Sequence, residues 1–229
     1  MARILHLEAG PPACSIAISK DGILLGERII PNREAVADLM VLCRELLESL
    51  HINIKDIDAV SVPAGPGSYT SLRTGYAMAK GLCASLQIPL ICLPSLEILL
   101  HAGISALPQT QNREARSEVL CLMHARKNQF LGQIYDVVHK KPVSDLMELG
   151  PSVPPECQDI LPVILDSDPG MALPEDLKGP VRHAQKNAPD QLEPAWKRFR
   201  DSDFDDLIHA SPLYVYDPHI TKPKPKFYN

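Results

Sequence analysis

Three strand-like runs follow one another with only short turns between them before the chain becomes helical. Residues 4–9, 13–19 and 23–30 are apolar or alternating, separated by Gly10-Pro11-Pro12 and by Lys20-Asp21-Gly22, the second a good hairpin turn. The apolar period then changes. Asn32 is placed to cap a helix over 33–50, where Val36, Leu39, Met40, Cys43, Leu46, Leu47 and Leu50 form one stripe. Residues 58–64 read as a fourth strand, 70–86 as a second helix and 89–93 as a fifth strand. Ser95, with Leu96 and Glu97, starts a third helix.

The order β-β-β-α-β-α-β-α combines a hairpin meander with right-handed crossovers in one mixed sheet. It departs from the strict βαβ alternation of a dinucleotide-binding fold and matches an α/β lobe of the ribonuclease-H-like or actin-like ATPase type. At 229 residues the chain has room for one large domain or two lobes. The texture changes after Leu107, where 108–117 is polar. Residues 118–123 and 129–138 read as a second pair of strands. Fourteen of the 22 prolines lie at or beyond Pro142, so the rest is expected to be loop-rich with short elements. Leu192, Trp196 and Phe199 give one more helical stripe, and 214–216 reads as a last strand before a basic tail with Lys222, Lys224 and Lys226. No internal repeat is visible. The expectation is an N-terminal lobe over 1–107 and a smaller, loop-rich C-terminal lobe over 108–229.

Between the fourth strand and the second helix lies a glycine-rich turn over 64–75. Gly65 and Gly67 permit close backbone approach, Ser68 and Thr70 are N-cap candidates, and Arg73 sits one turn in. A helix start of this kind can face an anion, which makes Glu8, Gly65, Gly67 and Ser68 the candidate anion or nucleotide contacts. The turn lacks the Gly-Lys-Ser/Thr end of a phosphate-gripping P-loop, and a purely structural turn is the favoured reading. Glu8 ends the first strand where an actin-like ATPase carries an Asp for metal-bound nucleotide; the longer side chain argues for a weak or absent magnesium site. None of the eight histidines forms an H-x-x-x-H or H-E-x-x-H pair, and no G-x-S-x-G elbow occurs, so neither metal ligands nor catalytic residues are assigned. Six scattered cysteines without a C-x-x-C pair read as free thiols. A net charge of −5 and 5% aromatics argue against a broad nucleic-acid surface, and a solvated tail is the commoner fate of the terminal lysines. The chain opens on a strand pattern and has no apolar run near the ~20 residues of a membrane span, so a cytoplasmic protein without a membrane partner is expected. The apolar stripes have two readings: they cover the sheet, or, with Tyr69, Leu72, Tyr76, Met78 and Leu82 around the second helix, they exceed it and meet another subunit.

The turn Gly65-Pro-Gly-Ser-Tyr-Thr-Ser-Leu-Arg-Thr-Gly75 closely resembles the G-P-G-S-F/Y-T-G-L-R-x-G signature of the TsaB (YeaZ) family. Ala79-Lys-Gly-Leu82 with Ile88-Pro89-Leu90, Pro94-Ser95-Leu96-Glu97, His124-Ala-Arg126 and Pro212-Leu-Tyr214 match further family segments in order. Departures are Leu7-Glu8-Ala9-Gly10 for the usual D-T-S, Ser71 for a glycine, Asn32-Arg33-Glu34 at the first helix, and His124 for an Asp. The resemblance implies a non-catalytic dimerisation and scaffold subunit that supports TsaD, with the ATPase TsaE, in forming tRNA threonylcarbamoyladenosine. It implies pairing through the first two helices, so the expected partner face is Leu39, Met40, Cys43, Leu47, Tyr69, Leu72, Tyr76 and Leu82. It further implies a homodimer in isolation, only indirect contact with tRNA, no required cofactor, and at most weak ATP or ADP binding. The competing reading is a nucleotide-hydrolysing actin-like protein using Glu8, Gly65, Gly67 and Ser68; a metallopeptidase is disfavoured by the missing ligand pair.

Overall fold

The computed structural model describes residues 1–11, 13–30, 38–105, 118–126, 129–158, 163–166, 174–177 and 181–216. The hairpin meander forms as expected. β1 (Arg3–Glu8), β2 (Cys14–Lys20) and β3 (Ile23–Ile30) are antiparallel, with Arg3 opposite Lys20 and Glu8 opposite Ser15. The β2–β3 turn places Asp21 at φ 51° and Gly22 at φ 81°, the left-handed pair that matches strand twist in a tight hairpin. β4 (Ala59–Gly65) then pairs parallel to β1, and β5 (Leu90–Pro94) parallel to β4, giving the order β3-β2-β1-β4-β5. Strand alternation sorts the core. Leu5, Leu7, Ile16, Ile18, Val60 and Val62 point to one face, where α1 (Leu39–Ser49) and α2 (Tyr69–Leu86) cover them. The expected helix start at Asn32, and Val36 with it, lies outside the described residues.

α3 (Ser95–Ser105) crosses to a second sheet. There β6 (Glu118–Arg126) and β7 (Gln129–Asp136) form a hairpin, and the short β8 (Lys141–Pro142) and β9 (Met147–Leu149) both pair with β7. After α4 (Pro155–Gln158), β10 (Val163–Asp166) joins β6 in parallel and β11 (Val181–His183) joins β10. The path β11-β10-β6-β7-β8 retraces the first sheet, a meander on one side of a central strand and parallel strands on the other. The sequence shows no repeat, yet the topology repeats. This is the two-sheet actin-like ATPase (ribonuclease-H-like) fold. α3 is the wedge between the sheets: Leu96, Leu99 and Leu100 meet Val119, Cys121, Met123 and Tyr135, while Ile98 meets Ile4, Ile91 and Leu93.

The chain then returns to the first sheet. A 3-10 turn (Ala188–Gln191) and α5 (Leu192–Arg200) lie on the face opposite α1 and α2, with Ala195, Trp196 and Phe199 in that core. A chain of polar contacts fixes the 3-10 turn. Gln191 donates its amide N–H to the Leu7 carbonyl (2.8 Å), so its oxygen accepts the Ser61 hydroxyl proton (2.8 Å). Ser61 therefore accepts from His6 Nδ1–H (2.7 Å), and His6 Nε2 accepts from Ser19 (2.7 Å). Burial of this imidazole pulls its pKa down to about 3. Downstream, Asp205 takes the Cys92 amide (2.7 Å) while its own N–H bonds Leu90 O (2.9 Å). Residues 188–213, expected in the C-terminal lobe, thus pack on the first sheet; the 107/108 boundary lies outside the described residues. Residues 214–216 form no strand, since Leu213 gives its N–H to Ala64 O and the chain bends after it. The lysines of the tail lie outside the described residues.

Candidate functional site

The parallel strands β1 and β4 end side by side at Glu8 and Gly65, and a cavity of about 570 Å³ opens there between the two sheets. Glu8, Gly10, Gly67, Ser68 and the start of α2 form one wall; Met123 and His124 of β6, with Lys186, form the other. Ser68 takes the N-cap position without a side-chain cap bond, and its carbonyl accepts Leu72 N–H at 2.9 Å. Thr70 lies inside the first turn rather than at the cap. The first turn of α2, from Ser68 to Leu72, thus lines the cavity. Glu8 is buried and curls onto its own turn, one carboxylate oxygen accepting Gly10 N–H at 2.8 Å. Beside it, burial first and then the negative charges of Glu8 and Asp38 push the Cys14 thiol up.

The structure brings Glu8, Gly67 and Ser68 together and sets Gly65 just behind them, against the C-terminal segment. Gly65 has φ +94°, and a Cβ there would stand 2.7 Å from Leu213 O. A Cβ at Gly67 would meet only Leu72, at 3.7 Å, so this glycine is permitted rather than demanded. Lys186 and Tyr214–Tyr216 also reach the cavity, places not assigned to them from the sequence. Among the described residues, no group of three or more His, Cys, Asp or Glu side chains gathers as a metal site, and no helix is long and apolar enough to cross a membrane.

Of the expected partner face, Leu39, Cys43, Leu47, Leu72 and Tyr76 are buried in this chain's own core, and Leu82 is half-buried against it. The i, i+3, i+4 stripe faces the sheet and shares one core with Leu5, Leu7, Ile16 and Ile18. Met40 (55% exposed) looks outward, whereas Tyr69 (37%) lines the cavity and packs on Tyr214. Tyr76 is further closed off by the C-terminal segment, its hydroxyl 3.5 Å from Ser211 O, while Lys80 holds the carbonyls of Ile208 (3.1 Å) and Ala210 (2.7 Å). The open surface includes Met40, Val41 and Arg44 on α1 and Ala77, Gly81 and Ala84 on α2; a Cβ at Gly81 would meet nothing within 4 Å.

The family model of TsaD, tRNA N6-adenosine threonylcarbamoyltransferase, matches residues 29–146, more than half of the 229-residue chain. The tRNA threonylcarbamoyladenosine biosynthesis protein TsaB of Buchnera aphidicola subsp. Acyrthosiphon pisum is 28% identical over 128 residues, 55% of this chain and 54% of that protein. That of Escherichia coli (strain K12) is 26% identical over 133 residues, 58% of this chain and 53% of that protein. The chain belongs to the TsaD family, in its TsaB (YeaZ) group. It spans about half the length of the curated TsaB relatives it matches. The likeness in fold reaches further. YeaZ from Pseudomonas aeruginosa superimposes with a TM-score of 0.75 at 19% identity, covering 94% of this chain and all of that one. The TsaB signature glycines fall on the β4–α2 turn, where the cavity wall and the start of α2 coincide.

Proposed function

We propose that this chain is a non-catalytic dimerisation and scaffold subunit for a TsaD-type enzyme in the formation of threonylcarbamoyladenosine on tRNA. The observation that carries this reading is the TsaB likeness, with the glycine motif on the turn between β4 and α2. Supporting it, α1 and α2 cover the same face of the first sheet, and the outward side of α2 carries Ala77, Gly81 and Ala84. Small side chains let a second helix approach closely. The partner face is then the outward side of the two helices, with Met40 kept from the expected set. Val41, Ala77, Gly81 and Ala84 replace its buried members and Tyr69, which lines the cavity beneath Tyr214. TsaE would join through TsaD, tRNA would be held by the assembly, and a homodimer would use the same helices when TsaD is absent.

Co-purification with the TsaD-type protein of the same genome tests the reading. Wild type is expected to retain it, and Gly81→Arg and Met40→Glu to lose it while staying folded. Equal retention by all three would remove the proposed face; no retention by wild type would remove the role. The cavity supports a second reading, nucleotide binding, because a helix start, Glu8 and Lys186 converge on it. Titration calorimetry with magnesium-ATP separates the two. Micromolar affinity lost in Glu8→Gln would favour the nucleotide protein.

A further inference from the structure

We infer that residues 211–216 are a latch across the mouth of the cavity, tying the first sheet to the second. At one end, Leu213 N–H bonds Ala64 O at 2.7 Å, and the missing side chain of Gly65 makes room for the Leu213 carbonyl. The Tyr214 ring packs on Tyr69, centroids 4.8 Å apart, and the Tyr69 hydroxyl accepts from Arg73 at 2.9 Å. At the other end, Tyr216 lies under the Arg126 guanidinium, 4.1 Å from its ring centre, at the close of β6. Between these ends Tyr214, Val215 and Tyr216 form part of the cavity wall.

The two sheets are therefore joined in two unlike ways. On the inner side α3 is a buried apolar wedge, with Leu96, Ile98, Leu99 and Leu100 fully enclosed. On the open side the contacts that hold 211–216 are the Leu213 N–H bond, the Tyr76 hydroxyl at Ser211 O, a tilted ring pair, a cation–π contact and Glu148 at the Tyr216 hydroxyl, and Leu213 is half exposed. Segments with few buried contacts and exposed hydrogen bonds open at lower free energy than the core. The cavity thus opens by release of 211–216 while α3 holds the sheets together. Because Tyr214 lies on Tyr69, the first residue of α2, the same release uncovers the start of that helix.

Native-state hydrogen exchange on the full chain tests this, comparing wild type with Tyr216→Ala, Arg126→Ala and Tyr216→Phe. The reporters are the hydrogen-bonded amides of Leu213, Leu72 and Gly10; β1 and β6 amides are the reference. Tyr216→Ala and Arg126→Ala are expected to speed exchange at Leu213 and Leu72 by about tenfold or more. Tyr216→Phe, which keeps the ring under Arg126 and loses only the hydroxyl beside Glu148, is expected to exchange far more slowly at the reporters than Tyr216→Ala, and all reference amides are expected to match wild type. Unchanged exchange at the reporters in both alanine variants would overturn the latch. Equal acceleration at the reference amides would also overturn it, because the contact would then fasten the whole fold.

Discussion

At Gly65 the backbone takes φ +94° and any Cβ would press on the Leu213 carbonyl oxygen, whereas Gly67 has ordinary surroundings. Gly65→Ala is expected to lower the unfolding free energy by about 1–3 kcal/mol, and Gly67→Ala to change it by less than about 1 kcal/mol, read by urea denaturation. The sequence shows two equivalent glycines; only a contact from the far end of the chain distinguishes them. His6 is a similar case. As a lone histidine it carried no signal, yet it links two strands to the 3-10 turn through Ser19, Ser61 and Gln191. Its folded pKa of about 3 lies below the ordinary value of 6.5, so the unfolded chain takes up the proton first as pH falls. The neutral imidazole's contribution is complete above about pH 6.5 and is lost progressively toward pH 3, at up to about 1.4 kcal/mol per pH unit. Wild type should therefore lose stability relative to His6→Gln between pH 7 and pH 4; a constant difference would remove the assignment.

The helices α1 and α2 were legible as elements because their apolar period is strong, but the side they give to a partner was not. A stripe at 3.6-residue spacing marks the face that is buried, and in this chain it is buried on the sheet. Tyr76 shows the consequence. Tyr76→Glu would bury a carboxylate under the sheet and is expected to cost about 3–5 kcal/mol, so it tests the fold and not an interface. Ala77→Arg, one position on and exposed, is expected to change stability by less than about 0.5 kcal/mol, with both variants compared by thermal unfolding. The strands of the second sheet are harder to read. β8 has two residues and β9 three, too short for any alternation to register, and they are held by pairing with β7. Residues 214–216 look like a strand by composition, but their neighbour Leu213 bonds the β4 end and the rings turn to Tyr69 and Arg126.

Over the whole molecule, the first five strands were readable because each sits beside a turn or helix signal of its own. The duplication of that sheet was not, because strand order constrains pairing and burial but not residue identity. The return of 188–213 to the first sheet was equally hidden: it depends on Gln191, Arg198 and Asp205 meeting backbone groups of β1 and β5. On the proposed reading, α1 and α2 dock on a TsaD-type protein and the chemistry belongs to that chain. Threonylcarbamoyl transfer to tRNA by the TsaD-type and TsaE-type proteins of the same genome, with and without this chain, tests that most directly. Transfer is expected to require this chain, to persist with Glu8→Gln and to fail with Gly81→Arg. Transfer that proceeds without the chain, or that fails with Glu8→Gln while tolerating Gly81→Arg, would contradict the account.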